Sequence, residues 1–106
     1  MRGPYPLTLI QIALLIHPKR IGVFLIYNEK KEVIYVGRSD EELAKELKKY
    51  IDMGKFFSYE YVVSPKEGYL LECKYFHKYK DNSNFLREDH PIPPAGIEEK
   101  CPVCGL

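Results

Sequence analysis

The chain has 106 residues, a formal net charge of +1 and 45% hydrophobic residues. This length suits one domain with a modest core. The charge lacks the strong positive balance of most dedicated nucleic-acid-binding domains, whose pI typically exceeds roughly 9. The apolar run at residues 7–16 falls short of the roughly 20 residues that a membrane span needs, and the pattern of a signal-peptide cleavage site does not follow it. We therefore expect a cytoplasmic protein without membrane contact.

The first twenty residues are predicted to be an N-terminal helical extension, ahead of a domain over residues 21–106. Pro4 and Pro6 come first, and Thr8 then opens a helical pattern that Pro18 ends. The apolar residues of this pattern recur at helical spacing. Two interpretations stay open for that apolar face: it packs on a sheet, or it forms a homo-oligomer contact.

Two runs rich in β-branched and aromatic residues follow, at residues 22–28 and 33–37, around a polar break at 28–32. Such a pattern is typical of a β-hairpin. Ser39 and Glu42 then have the spacing of a helix capping box. After this capping box, Leu43 and Leu47 are four residues apart and form an apolar stripe, which predicts an amphipathic helix that ends at Gly54.

Residues 57–63 are predicted to form a third strand because aromatic and polar residues alternate there. Pro65 and Gly68 indicate a turn after it, and a second main helix is expected over residues 69–80. Residues 81–106 are rich in proline. We expect an extended tail with little regular structure, and a tail of this kind needs an anchor.

All three cysteines of the chain fit one predicted metal site. Cys73 and His77 are four residues apart and therefore share one face of the second helix. Cys101 and Cys104 form a Cys-x-x-Cys pair followed by too few residues for the helix that a redox pair requires. Three thiolates and one imidazole are a common tetrahedral zinc set, which predicts a structural zinc that anchors the tail. His90 is the alternative to His77 as the fourth ligand.

The hairpin contains two triplets, Gly22–Phe24 and Tyr35–Gly37, with ten residues between them. Together with the helix that follows, they resemble the GIY-YIG domain, a small nuclease fold. Some GIY-YIG-like proteins also end in Cys-Pro-x-Cys, and with it the resemblance covers residues 21–104. It implies an α+β fold in which a three-stranded antiparallel sheet is flanked by helices, here with a zinc-stapled tail over residues 81–106.

The resemblance also implies a nuclease site. The family hydrolyses phosphodiester bonds of nucleic acid with one divalent metal, Mg²⁺ or Mn²⁺, held by a glutamate on the helix after the third strand, and Glu72 matches that position. Tyr35 matches the tyrosine of the second triplet, and Arg38 follows that triplet, in position to contact a phosphate. Asn84 lies twelve residues after Glu72, where relatives often have an asparagine. DNA is favoured over RNA as the partner.

Two positions depart from the family pattern. Phe24 stands where the first triplet usually ends in tyrosine, and Tyr27, the nearest substitute, falls on the opposite face of the strand. Glu46 stands where the first helix usually has an arginine that stabilises charge on the phosphate, and losing such a donor typically costs on the order of 10²–10³ in rate. Two functions therefore stay open: an endonuclease with impaired activity, or a non-catalytic zinc-stabilised module that binds nucleic acid or protein.

Overall fold

A computed structural model describes residues 1–105 of the chain. The strands are β1 (Arg2–Pro6), β2 (Gly22–Tyr27), β3 (Val33–Ser39) and β4 (Phe56–Tyr61), and the helices are α1 (Leu9–Leu15), α2 (Leu43–Lys48) and α3 (Pro65–Tyr79). The strands form one antiparallel sheet in the order β1-β4-β2-β3. This is the predicted α+β architecture with helices packed on an antiparallel sheet.

The hairpin of β2 and β3 and its pairing with β4 confirm the three predicted strands. Phe24 lies opposite Gly37 on one side and Tyr59 on the other. The Asn28 side chain closes the turn because its oxygen accepts the backbone N–H groups of two later turn residues, at 2.9 and 3.0 Å. The two triplets thus lie side by side at the centre of the sheet.

The sheet has one strand more than the sequence predicts. β1 pairs with β4, and its partners include Tyr5 opposite Phe57. The predicted N-terminal helical extension, residues 1–20, therefore begins with a strand. Pro4 and Pro6 fit there because proline is tolerated at a sheet edge, where one side of the strand has no ladder to complete. The predicted helix after Thr8 is confirmed as α1, and the Thr8 hydroxyl accepts the N–H of Gln11 at 3.2 Å.

Each face of the sheet is covered by different elements. On one face, α1 and α2 enclose the larger core, whose buried members include Ile12, Phe24, Leu43 and Leu47. On the other face, α3 and the tail cover a smaller core of Leu25, Val33 and Val36, against which Tyr27, Tyr75, Tyr79 and Phe85 pack. The prediction that Tyr27 and Phe24 lie on opposite faces is therefore confirmed.

Two helix boundaries differ from their predictions. Ser39 accepts the N–H groups of Glu41 and Glu42 in a turn ahead of α2, whose N-cap is Glu42, so Ser39 is not the helix cap. Pro65 does not mark a turn. It is the first residue of α3, where proline is favourable because its missing N–H would have no partner in the helix. Ser64 caps α3, and the earlier start places Glu72 in the middle of a 15-residue helix.

After Tyr79, the described part of the chain contains no further helix or strand, as predicted for the tail. The tail runs beside the edge strand β3, where the Leu86 N–H donates to the Ile34 carbonyl at 2.8 Å. Such cover protects an edge strand from pairing with other chains. Within residues 1–105, none of the helices is both long and apolar enough to cross a membrane.

Candidate active site and metal-binding cluster

Glu72 is buried at the middle of α3, with 4% of its surface exposed. One carboxylate oxygen, Oε1, accepts from Nη1 of Arg38 at 2.6 Å, and the other, Oε2, accepts from Nη1 of Arg87 at 2.7 Å. A buried carboxylate is tolerated when its charge is paired and hydrogen-bonded. The two guanidinium groups therefore provide both the hydrogen bonds and the opposite charge that the buried carboxylate of Glu72, the predicted metal ligand, needs.

Arg38 links Glu72 to a second carboxylate. It comes from the end of β3, and its Nε and Nη2 donate to the two oxygens of Asp40 at 2.8 and 3.1 Å, a bidentate pair. Burial disfavours the charged guanidinium, but the hydrogen bonds that it donates to Asp40 and the charge of Glu72 outweigh burial and raise the pKa of Arg38. Arg38 thus stays positively charged beside the cleft that Glu72 lines.

Arg87 is a member of the site that the sequence did not reveal. Its guanidinium also donates to the Val36 carbonyl at 2.8 Å, and it lies 5.7 Å from the ring centre of Tyr35. Arg87 belongs to the tail, which was predicted to have little regular structure, so no periodic pattern distinguished this arginine in the sequence. The nearby aromatic residue Phe85, which packs on the smaller core, is a sequence signal that this segment folds back.

Tyr35 contacts a second phenol, and both rings pack against the larger core. The Tyr50 hydroxyl donates to the Tyr35 hydroxyl at 3.2 Å. Burial, followed by the hydrogen bond to Tyr35, raises the pKa of Tyr50, so this phenol stays neutral and acts as a donor. Sequence reasoning missed Tyr50, although its position three residues after Leu47 continues the apolar stripe of α2.

Phe24 is fully buried, and its ring lies against both phenols, with ring centres 6.4 Å from Tyr35 and 5.3 Å from Tyr50. The tip of the ring occupies the space that a side chain at Gly37 would need, at 2.3 Å from the position of such a Cβ. This packing explains why the second triplet ends in glycine here.

The predicted site residues are only partly brought together. Arg38 and Glu72 are in direct contact, and Tyr35 reaches them through the guanidinium of Arg87. Asn84 is exposed and donates to Oε1 of Glu32 at 3.1 Å instead. Glu46, which the resemblance aligns with the family's arginine, accepts from Nζ of Lys49 at 2.9 Å.

The tail and α3 also bring four metal-ligating side chains together. One ligand atom from each of His77, His90, Cys101 and Cys104 lies within 4.8 Å of all the others. Nε2 of His90 lies 3.2 Å from Nε2 of His77 and 3.3 Å from Sγ of Cys104. Bond lengths of about 2.0 Å to nitrogen and 2.3 Å to sulfur place neighbouring donors roughly 3.3–3.7 Å apart around a tetrahedral zinc. The spacing and the donor types therefore fit zinc.

Two further contacts prepare these groups to bind a metal. Nδ1 of His90 donates to the Pro91 carbonyl at 2.8 Å, which leaves Nε2 without a proton and directed at the cluster. Burial raises the pKa of the Cys101 thiol, but the backbone N–H groups of Cys104 and Val103 outweigh burial and lower that pKa to about 6. Cys101 is therefore a thiolate at neutral pH, the form that binds metal.

Cys73 lies beside the cluster and packs with Tyr69 and Cys101, but it is not among the four groups that share one centre. Burial raises the pKa of Cys73 to about 12, so its thiol keeps its proton. The converging set thus differs from the predicted set of Cys73, His77, Cys101 and Cys104 by one member. His90 belongs to the converging set together with His77, whereas Cys73 packs beside that set.

The chain is similar in sequence to UvrABC system protein C of two bacteria. It is 32% identical to the protein of Clostridium tetani over 102 residues, which covers 80% of this chain and 16% of that protein. It is 34% identical to the protein of Clostridium kluyveri over 91 residues, which covers 73% of this chain and 14% of that protein. The chain therefore spans about one sixth of the length of these relatives. No protein-family profile matches it.

The fold is similar to solved structures of the GIY-YIG N-terminal endonuclease domain of UvrC from Thermotoga maritima. A point mutant of that domain, bound to its catalytic divalent cation, has a TM-score of 0.58 and 22% identity, and the match covers 74% of this chain and 96% of that one. The magnesium-bound domain has a TM-score of 0.56 and 22% identity, over 68% and 90% of the two chains.

Proposed function

This chain has the GIY-YIG fold, and from that premise we propose that it hydrolyses phosphodiester bonds in DNA with a divalent metal at Glu72. The contact between Glu72 and Arg38 supports this most directly. It joins the helix glutamate to the arginine that follows the second triplet, in a small cleft.

Glu72 fits a hard cation such as Mg²⁺ or Mn²⁺ in its chemistry. Each carboxylate oxygen has two lone pairs and keeps one after accepting from an arginine. Carboxylate oxygens are the ligands that these ions prefer. A bound divalent cation would polarise the phosphodiester and lower the pKa of a bound water.

The other groups have separate roles in this proposal. Arg38, held in place by Asp40, binds a phosphate oxygen with its remaining N–H groups. The Tyr35 hydroxyl, fixed in direction by Tyr50, orients the attacking water. A role for Asn84 stays a prediction from the resemblance, since its side chain is bonded to Glu32.

We expect the activity to be weak for two reasons. Phe24 has no hydroxyl beside Tyr35, and Glu46 places a negative charge where a positive one would stabilise the phosphate. The variant that combines Phe24→Tyr with Glu46→Arg should nick supercoiled plasmid on the order of 10² faster than the wild type, with Mg²⁺ or Mn²⁺. Each single change should do less than the pair, because residues of one site act as a unit.

Two controls accompany the nicking assay. Glu29→Arg makes the same charge change in the hairpin turn and should leave the rate unchanged. Adding Glu72→Gln together with Arg87→Gln removes the metal ligand while keeping the buried charges balanced, and cleavage should disappear. Cleavage that survives this change would mean that the site lies elsewhere. Fast cleavage by the wild type that depends on Glu72 would support the site at Glu72 but contradict the expectation that Phe24 and Glu46 weaken the activity.

A second candidate function is a module that binds nucleic acid or protein without cutting. The observation in its favour is that both oxygens of Glu72 are bonded to arginines of the same chain. Gel-shift assays with single-stranded, duplex and branched oligonucleotides distinguish the two. Binding without cleavage, in the wild type and in the Phe24→Tyr/Glu46→Arg variant, would favour the module.

The cluster of His77, His90, Cys101 and Cys104 supports a further part of the proposal, a structural zinc. Four protein ligands close the coordination sphere, so this zinc would hold the tail and have no catalytic role. Protein purified without added metal should contain about one equivalent of zinc. X-ray absorption at the zinc edge should give two sulfur and two nitrogen ligands. Three sulfur ligands would mean that Cys73 binds the zinc, as predicted from the sequence.

The helix α1 supports the prediction of a homo-oligomer, because Leu9, Ile10 and Leu14 are 59–74% exposed. Sedimentation of the wild type and of Ile10→Glu tests this: a wild-type dimer that the substitution dissociates supports it, and a wild-type monomer contradicts it. The cytoplasmic location likewise stays a prediction.

A further inference from the structure

Arg87 has more contacts than an arginine of an irregular tail usually has. Its Nη1 donates both to Oε2 of Glu72 at 2.7 Å and to the carbonyl of Val36 at 2.8 Å. The guanidinium also lies 5.5 Å from the ring centre of Phe76, and 9% of the side chain is exposed. The group is therefore fixed in direction by several independent contacts.

The backbone around Arg87 is fastened on both sides. Leu86, just before it, donates to the edge of β3 at 2.8 Å. His90, three residues after it, belongs to the cluster of metal-ligating side chains. Because both neighbours are held, the guanidinium has little freedom to leave the carboxylate of Glu72.

The charged groups at this site form two principal pairs, one of Arg38 with Asp40 and one of Arg87 with Glu72. Arg38 is bidentate to Asp40, so its charge has a partner besides Glu72. Among residues 1–105, Arg87 has only the distant and largely exposed carboxylate of Asp89, at 3.8 Å, in addition to Glu72. Glu72 is therefore the principal counter-charge of Arg87, and Arg87 offsets the charge that Glu72 would offer to a metal ion.

We propose that Arg87 is a built-in cation that competes with the divalent metal for Glu72. The inference rests on the proposed function, in which Glu72 holds that metal. A metal ion that reaches Oε2 must displace the guanidinium or accept a positive charge a few ångströms away, and either event weakens its binding. Arg87 thereby sets the metal concentration at which the site fills.

The test is a titration with Mn²⁺, in which electron paramagnetic resonance measures the free ion. One equivalent of Zn²⁺ is present so that the His and Cys side chains do not take up Mn²⁺. The variant Arg87→Gln should bind Mn²⁺ on the order of 10- to 100-fold more tightly than the wild type, since it loses a charged hydrogen bond to the ligand. Arg87→Lys, which retains the charge but has no planar fork, should fall between the two.

Lys74→Gln is the matched control. It removes the same charge from the exposed face of α3, two residues from Glu72, and should bind Mn²⁺ like the wild type. Adding Glu72→Gln to Arg87→Gln should abolish the gain, and this double variant keeps the buried charges balanced. Circular dichroism should show that each variant is folded before its titration.

The outcomes separate this inference from the proposed function. Tight binding in Arg87→Gln that depends on Glu72 supports both. Equal affinity of the wild type and Arg87→Gln, lost on Glu72→Gln, overturns the competition and retains the metal site. No Mn²⁺ binding in either protein, or a gain that survives Glu72→Gln, overturns the competition and the metal at Glu72 together.

Discussion

Two groups of side chains on helix α3 meet the same tail with opposite chemistry. At Glu72, a carboxylate contacts two guanidinium groups, so positive and negative charges balance within the chain. One turn and a half further along, His77 meets His90, Cys101 and Cys104, and all four are electron-pair donors directed at one centre. The first group is stabilised by the protein's own cations, whereas the second has the donors to bind a cation from solution, the zinc proposed above.

This difference shows how a short tail can serve two sites. Arg87 and His90 are three residues apart, so one segment supplies a cation to the first site and a donor to the second. A substitution that disrupts one site should therefore also displace the part of the tail that belongs to the other site. The following predictions break or sharpen this contrast, from the largest expected effect to the smallest.

The largest effect is expected from Cys101→Ser combined with Cys104→Ser. Hydroxyl groups are poor zinc ligands, so bound zinc should fall from about one equivalent to nearly none. Residues 81–105 should then become sensitive to proteases while the sheet remains folded. Elemental analysis and limited proteolysis measure this, with Cys73→Ser as the control that retains its zinc. A double variant that keeps both its zinc and its protected tail would contradict the cluster.

The next effect is expected from Glu72→Gln, which leaves Arg38 and Arg87 buried with too little negative charge. Breaking a buried pair by removing one partner typically lowers the free energy of unfolding by about 3–5 kcal/mol. Urea unfolding measures the loss. The charge-balanced variant Glu72→Gln/Arg87→Gln should lose less than the single variant. A double variant whose loss equals the sum of the two single losses would show that the pair is not coupled.

A smaller loss is expected from Phe24→Tyr, because the ring is fully buried in the larger core. Extra atoms in a well-packed core typically cost about 1–3 kcal/mol. Thermal unfolding measures the loss, and Phe56→Tyr, in a half-buried position of β4, is the control with little change. If Phe24→Tyr is as stable as the wild type, the space for a family-type tyrosine is already present, and Phe24 reflects no packing constraint.

The smallest effect is expected from Cys73→Ala. Cys73 is fully buried but lies outside the set of converging donors, so the variant should retain its zinc and lose about 1 kcal/mol of stability. Zinc analysis and urea unfolding report the two quantities separately. Loss of zinc in this variant would make Cys73 a ligand and would return the cluster to the set predicted from the sequence.

The sequence predicted the parts of the fold that depend on local patterns. The hairpin, β4 and the apolar stripe of α2 follow from alternation or helical spacing within a few residues. β1 was missed because residues 1–20 were predicted to be a helical extension, and an edge position could not be inferred before the strand order was known. The starts of α2 and α3 shifted because Ser39 and Pro65 each suit more than one local structure.

The candidate sites were predicted from local motifs and from the family resemblance. Helical spacing and the Cys-x-x-Cys motif give the predicted zinc ligands, whereas Glu72 and Arg38 follow from their match to the family pattern. Arg87 enters through contacts between distant parts of the chain, which no local pattern encodes. That His90 joins His77, and that Cys73 lies outside the cluster, depends on the path of the tail, which its prolines leave undetermined.

Anomalous diffraction from one crystal form tests the contrast between the two sites most directly. Crystals of zinc-loaded wild type and of Arg87→Gln would be soaked in Mn²⁺ at a concentration that saturates the variant, with data collected at the zinc and manganese edges. We predict zinc among His77, His90, Cys101 and Cys104 in both crystals, and manganese at Glu72 only in the variant. Zinc bound by Cys73 in place of His90, or manganese on Glu72 in the wild type with Arg87 still paired, would contradict the account.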